Sequence, residues 1–284
     1  MKRMLLSIIL VCLVFSGCHT EKPAEIVATT LPVWEFTEAI CRDTNLRVSR
    51  LITEEVSCLH DYTVQVWQMR AVTSAQAVIC NGAGLEVFLE DVLADANCVI
   101  DASREVSLSC GHNHGEHHHE HDAHIWMSPE NAKEMCKTIC AELSVLYPEQ
   151  KDRFEVNLTE LLNKLDALQH YGEETLKQLN TRDLITFHDG FSYFANSFQL
   201  HIVRSVEEES GSEASAQELT ELIEFVKNSQ LPAIFTEKSG STAAAEVIAR
   251  ETGTAVYALD MGMSGNSYFD AMYHNIDTIK EALG

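Results

Sequence analysis

Positive charge is what this chain has least of: 20 Lys and Arg stand against 43 Asp and Glu, a formal net charge of −23 over 284 residues. That balance leaves no basic face for nucleic acid or for an anionic membrane surface. Its field favours the approach of cations instead. Proline is scarce, five in all, so Pro148 stands out as a break in pattern. No apolar run reaches the roughly 20 residues that a membrane-spanning helix requires. No Cys-x-x-Cys spacing occurs, and seven cysteines follow Cys18, an odd number that leaves at least one unpaired. Cys41, Cys80, Cys98, Cys136 and Cys140 lie in apolar contexts and read as core thiols, without a disulfide framework. What is present is apolar content of 45%, a globular composition with length enough for two lobes.

Residues 1–18, "MKRMLLSIILVCLVFSGC", read as a targeting segment rather than part of the fold. Lys2 and Arg3 precede the apolar run Met4 to Phe15, and "FSGC" resembles a bacterial lipoprotein cleavage site with Cys18 as the lipidated residue. The expected mature protein sits outside the cytoplasmic membrane, held to it by lipid at Cys18 through a short polar tether.

Beyond that, β-rich runs alternate with helical patterns: "EIVATT", "LRVSRLI", "AQAVIC" and "CVIDA", each with a helix between. Ser128 and Pro129 supply an N-cap and first-turn proline for a helix to about Leu146. From 148 to 180 no strand signal appears, and Phe154, Leu158, Leu161, Leu165 and Leu168 form one helical stripe, with Gly172 a candidate bend. The alternation resumes with "DLITF", "LHIVRSV", "PAIFT" and "TAVYAL", and Ser215 with Glu218 forms a capping box. The expected fold is α/β, with two doubly wound parallel-sheet lobes (19–147 and 181–284) joined by one long rigid helix over 148–180. No residue-level repeat links the lobes.

Ligands of open parallel sheets bind where loops leave the carboxyl ends of strands. Four residues occupy such places: His60 in "CLHDY", His124 in "DAHIW", His188 directly after "LITF" and Asp260 directly after "VYAL". Two come from each lobe, which puts the site in the inter-lobe cleft. Three imidazoles and a carboxylate suit Zn²⁺; Mn²⁺ prefers more oxygen. Glu237, ending "IFTE", is an acceptor for an imidazole, an alternative oxygen ligand or a helix-start acid. Asp61 and Asp189 each follow a histidine and read as imidazole partners or caps; His170, His201 and His274 read as structural or surface residues.

"CLHDY", "DAHIWMSPENA", "FHDGFSYFANSFQL" and "LDMGMSGNSYFDAMYHNI" together resemble successive blocks of the metal-receptor family of bacterial ABC importers, from about Ile26 onward. The resemblance implies a metal held by His60, His124, His188 and Asp260 between two lobes, and delivery to a membrane permease. Manganese-type relatives often carry Glu where His188 stands, so the chain resembles the zinc (ZnuA-like) type. "DYTVQV" departs from the family's proline-containing acidic run. The expected protein is a monomer without enzymatic activity.

Seven of the 13 histidines fall within "HNHGEHHHEHDAHIW", residues 112–126. Residues 111–123 cannot build a core and read as a loop. His112, His114, His117, His118, His119 and His121 are candidates for auxiliary zinc capture, against a solvated loop without a role. His124 belongs to the folded site. Two other functions share these features. One is a secreted zinc hydrolase, opposed by the lack of a His-Glu-x-x-His motif and by Asp260 closing the coordination; the other is an adhesin.

Overall fold

The computed structural model describes residues 24–56, 59, 62–109, 121–207 and 216–284. The targeting segment with Cys18, His60 and Asp61, the tract residues His112, His114, His117, His118 and His119, and Ser215 lie outside them.

The first lobe comprises β1 (Ile26–Ala28), α1 (Leu31–Cys41), β2 (Val48–Arg50), α2 (Val66–Ser74), β3 (Ala77–Cys80), α3 (Glu90–Leu93), β4 (Val99–Asp101) and α4 (Pro129–Leu146). A single 3-10 turn, Pro148–Gln150, leads into α5 (Lys151–Thr175). The second lobe follows as β5 (Asp183–His188), α6 (Ser192–Ser197), β6 (His201–Glu207), α7 (Ala216–Ser229), β7 (Ala233–Glu237), α8 (Ala243–Thr252), β8 (Ala255–Leu259) and α9 (Tyr268–Leu283). Among the described residues each lobe holds one four-stranded sheet, ordered β2-β1-β3-β4 and β6-β5-β7-β8, with every pairing parallel. The two lobes share one winding order although their sequences do not repeat.

The sheets are buried on both faces, as parallel sheets between helices must be. Ile26 and Ala28 of β1 enter a core shared by both lobes, while Val27 between them enters a separate cluster with Leu51, Val72 and Leu89. Ala233 and Phe235 of β7 likewise join the shared core, and Ile234 packs with Leu222, Val226 and Ile248 on the far side. This is the two-residue alternation of a strand with both faces covered. Ser128 caps α4, its hydroxyl accepting from the Asn131 amide at 3.4 Å, as the sequence predicts. Cys41, Cys80, Cys136 and Cys140 are buried free thiols and Cys98 is a half-buried one.

α5 buries Phe154, Leu161, Leu165 and Leu168, and packs on α1 and α4 of the first lobe and α9 of the second. It is a spine lying along both lobes rather than a bare spacer. Gly172 does not bend it; the helix continues to Thr175. A Cβ built on Gly172 would lie 2.2 Å from Cε1 of the Phe198 ring, so the glycine is there for close approach. Asn157, on the same helix, donates to the carbonyls of Ile40 and Arg42 and so satisfies the end of α1.

The segment joining β8 to α9 is bonded to the opposite lobe. Trp126 Nε1 donates to the Met261 carbonyl at 2.7 Å, and the Tyr268 hydroxyl donates to the Trp126 carbonyl at 2.9 Å. Glu35 of α1 accepts from Ser267 Oγ at 3.1 Å and from the Tyr268 amide at 2.5 Å, capping α9 across the interface. Arg50, ending β2, donates to the Gly265 carbonyl at 3.0 Å.

Candidate metal centre

Three chain segments bring chemistry to the carboxyl edge of the second sheet. His188 and Glu237 are the last residues of β5 and β7, and Asp260 follows β8 directly. From the first lobe comes His124, at the start of the 3-10 turn Ile125–Met127 that leads to the Ser128 cap. In the second lobe these positions follow from the sequence: the apolar runs of β5, β7 and β8 end where the backbone leaves the sheet, with His188, Glu237 and Asp260 as the polar residues there.

The two imidazoles meet there. His188 Nε2 and His124 Nε2 are 3.3 Å apart, with ring planes at 87°. His188 and Glu237 side chains are nearly solvent-free, at 3% and 4% exposure, and Glu237 Oε1 stands 3.6 Å from His188 Nδ1. That is ion-pair distance, longer than a hydrogen bond. Glu237 therefore sits behind the His188 ring, on the side away from His124.

His124 is oriented by an acid that the sequence reading passes over. Asp122 Oδ1 accepts from both the His124 amide, at 2.9 Å, and His124 Nδ1, at 2.8 Å. This bond places the proton on Nδ1 and leaves Nε2 to face His188. Burial opposes charge on His124, but the hydrogen bond and charge of Asp122, with Glu237 and Asp189, outweigh it and hold the imidazole pKa above its ordinary value. Asp61 and Asp189, read from the sequence as caps or imidazole partners, follow their histidines; Asp122 precedes His124 by two residues. Asp-x-His was the available signal, since a short acid can fold back onto an amide two residues on. Asp189 acts on His124 through its charge, and Asp61 lies outside the described residues.

Asp260 lines a narrow pocket with Glu237, Lys238, Ser239, Met261, Ser264 and, from the first lobe, Val56. Its Oδ1 accepts from the Gly262 amide at 2.8 Å, and Lys238 Nζ approaches Oδ2 at 3.3 Å. Asn275 holds the Asp260 backbone from both sides, at 2.7 Å each. Gly190 completes the wall: a Cβ there would lie 2.7 Å from His188 Cδ2 and 2.5 Å from Met261 Cε.

Of the four expected ligands, the structure pairs His124 with His188 and puts Asp260 beside Glu237 in the cleft. Among the described residues no three His, Cys, Asp or Glu side chains converge as a ligand set; His60 lies outside them. His121, the one auxiliary histidine within them, is half-buried at the root of the tract. His170, His201 and His274 are exposed, away from the cleft; His201 pairs with Asp183 at 3.3 Å and His274 with the Ala258 carbonyl at 3.2 Å.

Two parallel-sheet lobes, spanned by one helix and meeting at opposed imidazoles, define a two-lobed α/β protein with its candidate site in the cleft. Residues 26–282 match the family model described as "ZnuA: Zinc-uptake complex component A periplasmic", and the chain belongs to that family. It is 30% identical to the zinc-binding lipoprotein AdcA of Streptococcus pneumoniae, over 99% of this chain and 61% of that protein. The chain thus spans about three-fifths of that relative's length. It is 29% identical to the high-affinity zinc uptake system protein ZnuA of Bacillus subtilis, over 91% of this chain and 87% of that one. A crystal structure of ZnuA superposes with a TM-score of 0.81 at 30% identity, covering 93% of this chain and all of the other.

Proposed function

We propose that this protein is an extracytoplasmic receptor that captures Zn²⁺ between its lobes and delivers it to the permease of an ABC importer. The observation that carries the reading is the His124–His188 pair. Two nitrogens bound to one tetrahedral zinc at about 2.05 Å lie about 3.3 Å apart, and the two Nε2 atoms are separated by 3.3 Å. The names of the relatives, zinc-binding lipoprotein and zinc uptake protein, support the same ion.

His60, His124, His188 and Asp260 are the proposed ligands. Zinc would displace the proton between the two imidazole Nε2 atoms to solvent and would compete with Lys238 for Asp260 Oδ2. Glu237 steadies the charge on His188 as the metal polarises it. Zinc is favoured over manganese because two imidazoles already face each other, and Mn²⁺ prefers an oxygen-rich set. The protein acts as a monomer and catalyses no reaction; Cys18 carries the lipid that holds it to the membrane. His112, His114, His117, His118, His119 and His121 give weak additional zinc capture.

The test is competition with a zinc chelator, using a variant that lacks residues 112–121. One zinc per chain is expected, held far more tightly than manganese. His188→Ala or His124→Ala should weaken zinc by more than the roughly 10–100-fold that loss of a residue behind a ligand costs. Wild-type affinity in both variants would falsify the site. Zinc-dependent ester or peptide hydrolysis would instead favour an enzyme.

A further inference from the structure

Tyr193 occupies a position that neither the ligand set nor the core explains. It lies on α6, one short turn beyond His188, and only 5% of it is exposed. Its ring belongs to the shared core, but its hydroxyl reaches across to the first lobe. There it accepts from the Ser109 amide at 2.9 Å and donates to the Asp122 carbonyl at 3.2 Å. Ser109 and Asp122 flank the histidine-rich tract, and the Asp122 amide also donates to the Ser109 carbonyl at 3.3 Å. One hydroxyl therefore ties together both sides of the tract's root and the residue whose carboxylate orients His124.

We propose that Tyr193 is a positioning residue of the metal centre, its hydroxyl fixing His124 against His188 by clipping the Ser109–Asp122 root to the helix that follows His188. This rests on the zinc-site reading and extends it to a residue that touches no metal. The path is short on both sides. On one, Tyr193 holds the Asp122 backbone, and Asp122 Oδ1 holds His124 by two hydrogen bonds. On the other, α6 begins four residues after His188, through Asp189, Gly190 and Phe191. Without the hydroxyl, Asp122 keeps its carboxylate but loses the anchor that aims it, and the Nε2 atoms are no longer held at one separation.

Tyr193→Phe keeps the buried ring and removes only the clip. In full-length protein, zinc competition with a chelator should show a Kd raised about three- to tenfold, about 0.7–1.4 kcal/mol, a part of what the two hydrogen bonds lost by the hydroxyl contribute. In the zinc-free state the ¹⁵N NMR signal of the His124 Nδ1–H is expected to be sharp in the wild type and broadened or absent in Tyr193→Phe. Tyr193→Phe added to Asp122→Asn should cost less than twofold more, because both act through one path. A Tyr193→Phe protein within twofold of wild-type affinity with an unchanged His124 signal overturns the proposal, as does an additive double variant. His124→Ala is measured alongside: if it binds zinc normally the site itself is misassigned, whereas a normal Tyr193→Phe beside a defective His124→Ala rejects the clip alone. A melting curve of Tyr193→Phe matching wild type excludes a general loss of fold.

Discussion

The smallest decision in this site is which nitrogen of His124 carries a proton. Asp122 settles it by accepting from Nδ1, which turns Nε2 toward the cleft. Because burial opposes protonation and the acids around it more than reverse this, His124 holds its proton more tightly folded than unfolded. In zinc-free protein its ring should titrate above the ordinary value of about 6.5. Asp122→Asn should lower that midpoint, as followed by imidazole NMR signals; an unchanged midpoint would remove Asp122 from the account. Gly190 makes a second point at this scale. A Cβ placed 2.7 Å from His188 Cδ2 and 3.0 Å from its Nε2 must displace the ring or push Met261 aside. Gly190→Ala is expected to weaken zinc about tenfold, as displaced ligand orientation does, while the circular dichroism spectrum stays that of the wild type. "FHDGF" shows where His188 sits, but no local pattern shows that the glycine two residues on touches the ring.

Among the elements, α5 sets propensity against packing. Gly to Ala inside a helix normally gains about 1 kcal/mol. At Gly172 the added carbon meets the Phe198 ring at 2.2 Å, and overpacking costs about 1–3 kcal/mol. Packing should win: Gly172→Ala is predicted to lower the urea midpoint, and a higher midpoint would show that Phe198 yields freely. The stripe of Phe154, Leu161, Leu165 and Leu168 was legible because 3.6-residue periodicity is local. Gly172 read as a break because its partner lies 26 residues away on α6's far end, and nothing in the helix itself announces that contact. The strands were legible for the same reason as the stripe. Ile26–Ala28, Ala77–Cys80 and Ala233–Glu237 all lie inside runs whose apolar character shows directly.

For the whole molecule, protons and zinc act in opposite directions. Glu86 is buried where it accepts from Thr29 and from the amides of Asn81 and Gly82, and burial, its largest influence, raises its pKa from 4.5 to about 7. Burial likewise raises Glu35. With His124, all three bind protons more tightly in the folded state. Their contribution is full below the unfolded pKa of each and is lost as pH rises through the folded value. The zinc-free protein should therefore melt at a higher temperature near about pH 6 than near about pH 8. The rise in melting temperature produced by zinc should run the other way, growing with pH as protons cease to compete for the imidazoles. Calorimetry with and without zinc across that range checks both signs; parallel trends would contradict the assignment. The lobes are already bonded at Trp126–Met261, Glu35–Tyr268 and Arg50–Gly265, so capture of an ion is expected with small relative lobe movement.

Periodicity and strand-end position are properties of short stretches, and they determined the alternation of strands and helices, the long helix and the places of His188, Glu237 and Asp260 at the ends of strands. Which side chains then engage one another depends on how elements far apart in the chain pack. Tertiary structure alone decided that His124 and His188, 64 residues apart, face each other at 3.3 Å. It also decided that Asp122 aims one of them, that Tyr193 reaches across the lobes, and that Lys238 occupies Asp260. A hydrogen bond is fixed by tenths of an ångström in the meeting of two surfaces, and no pattern along a single segment records that distance.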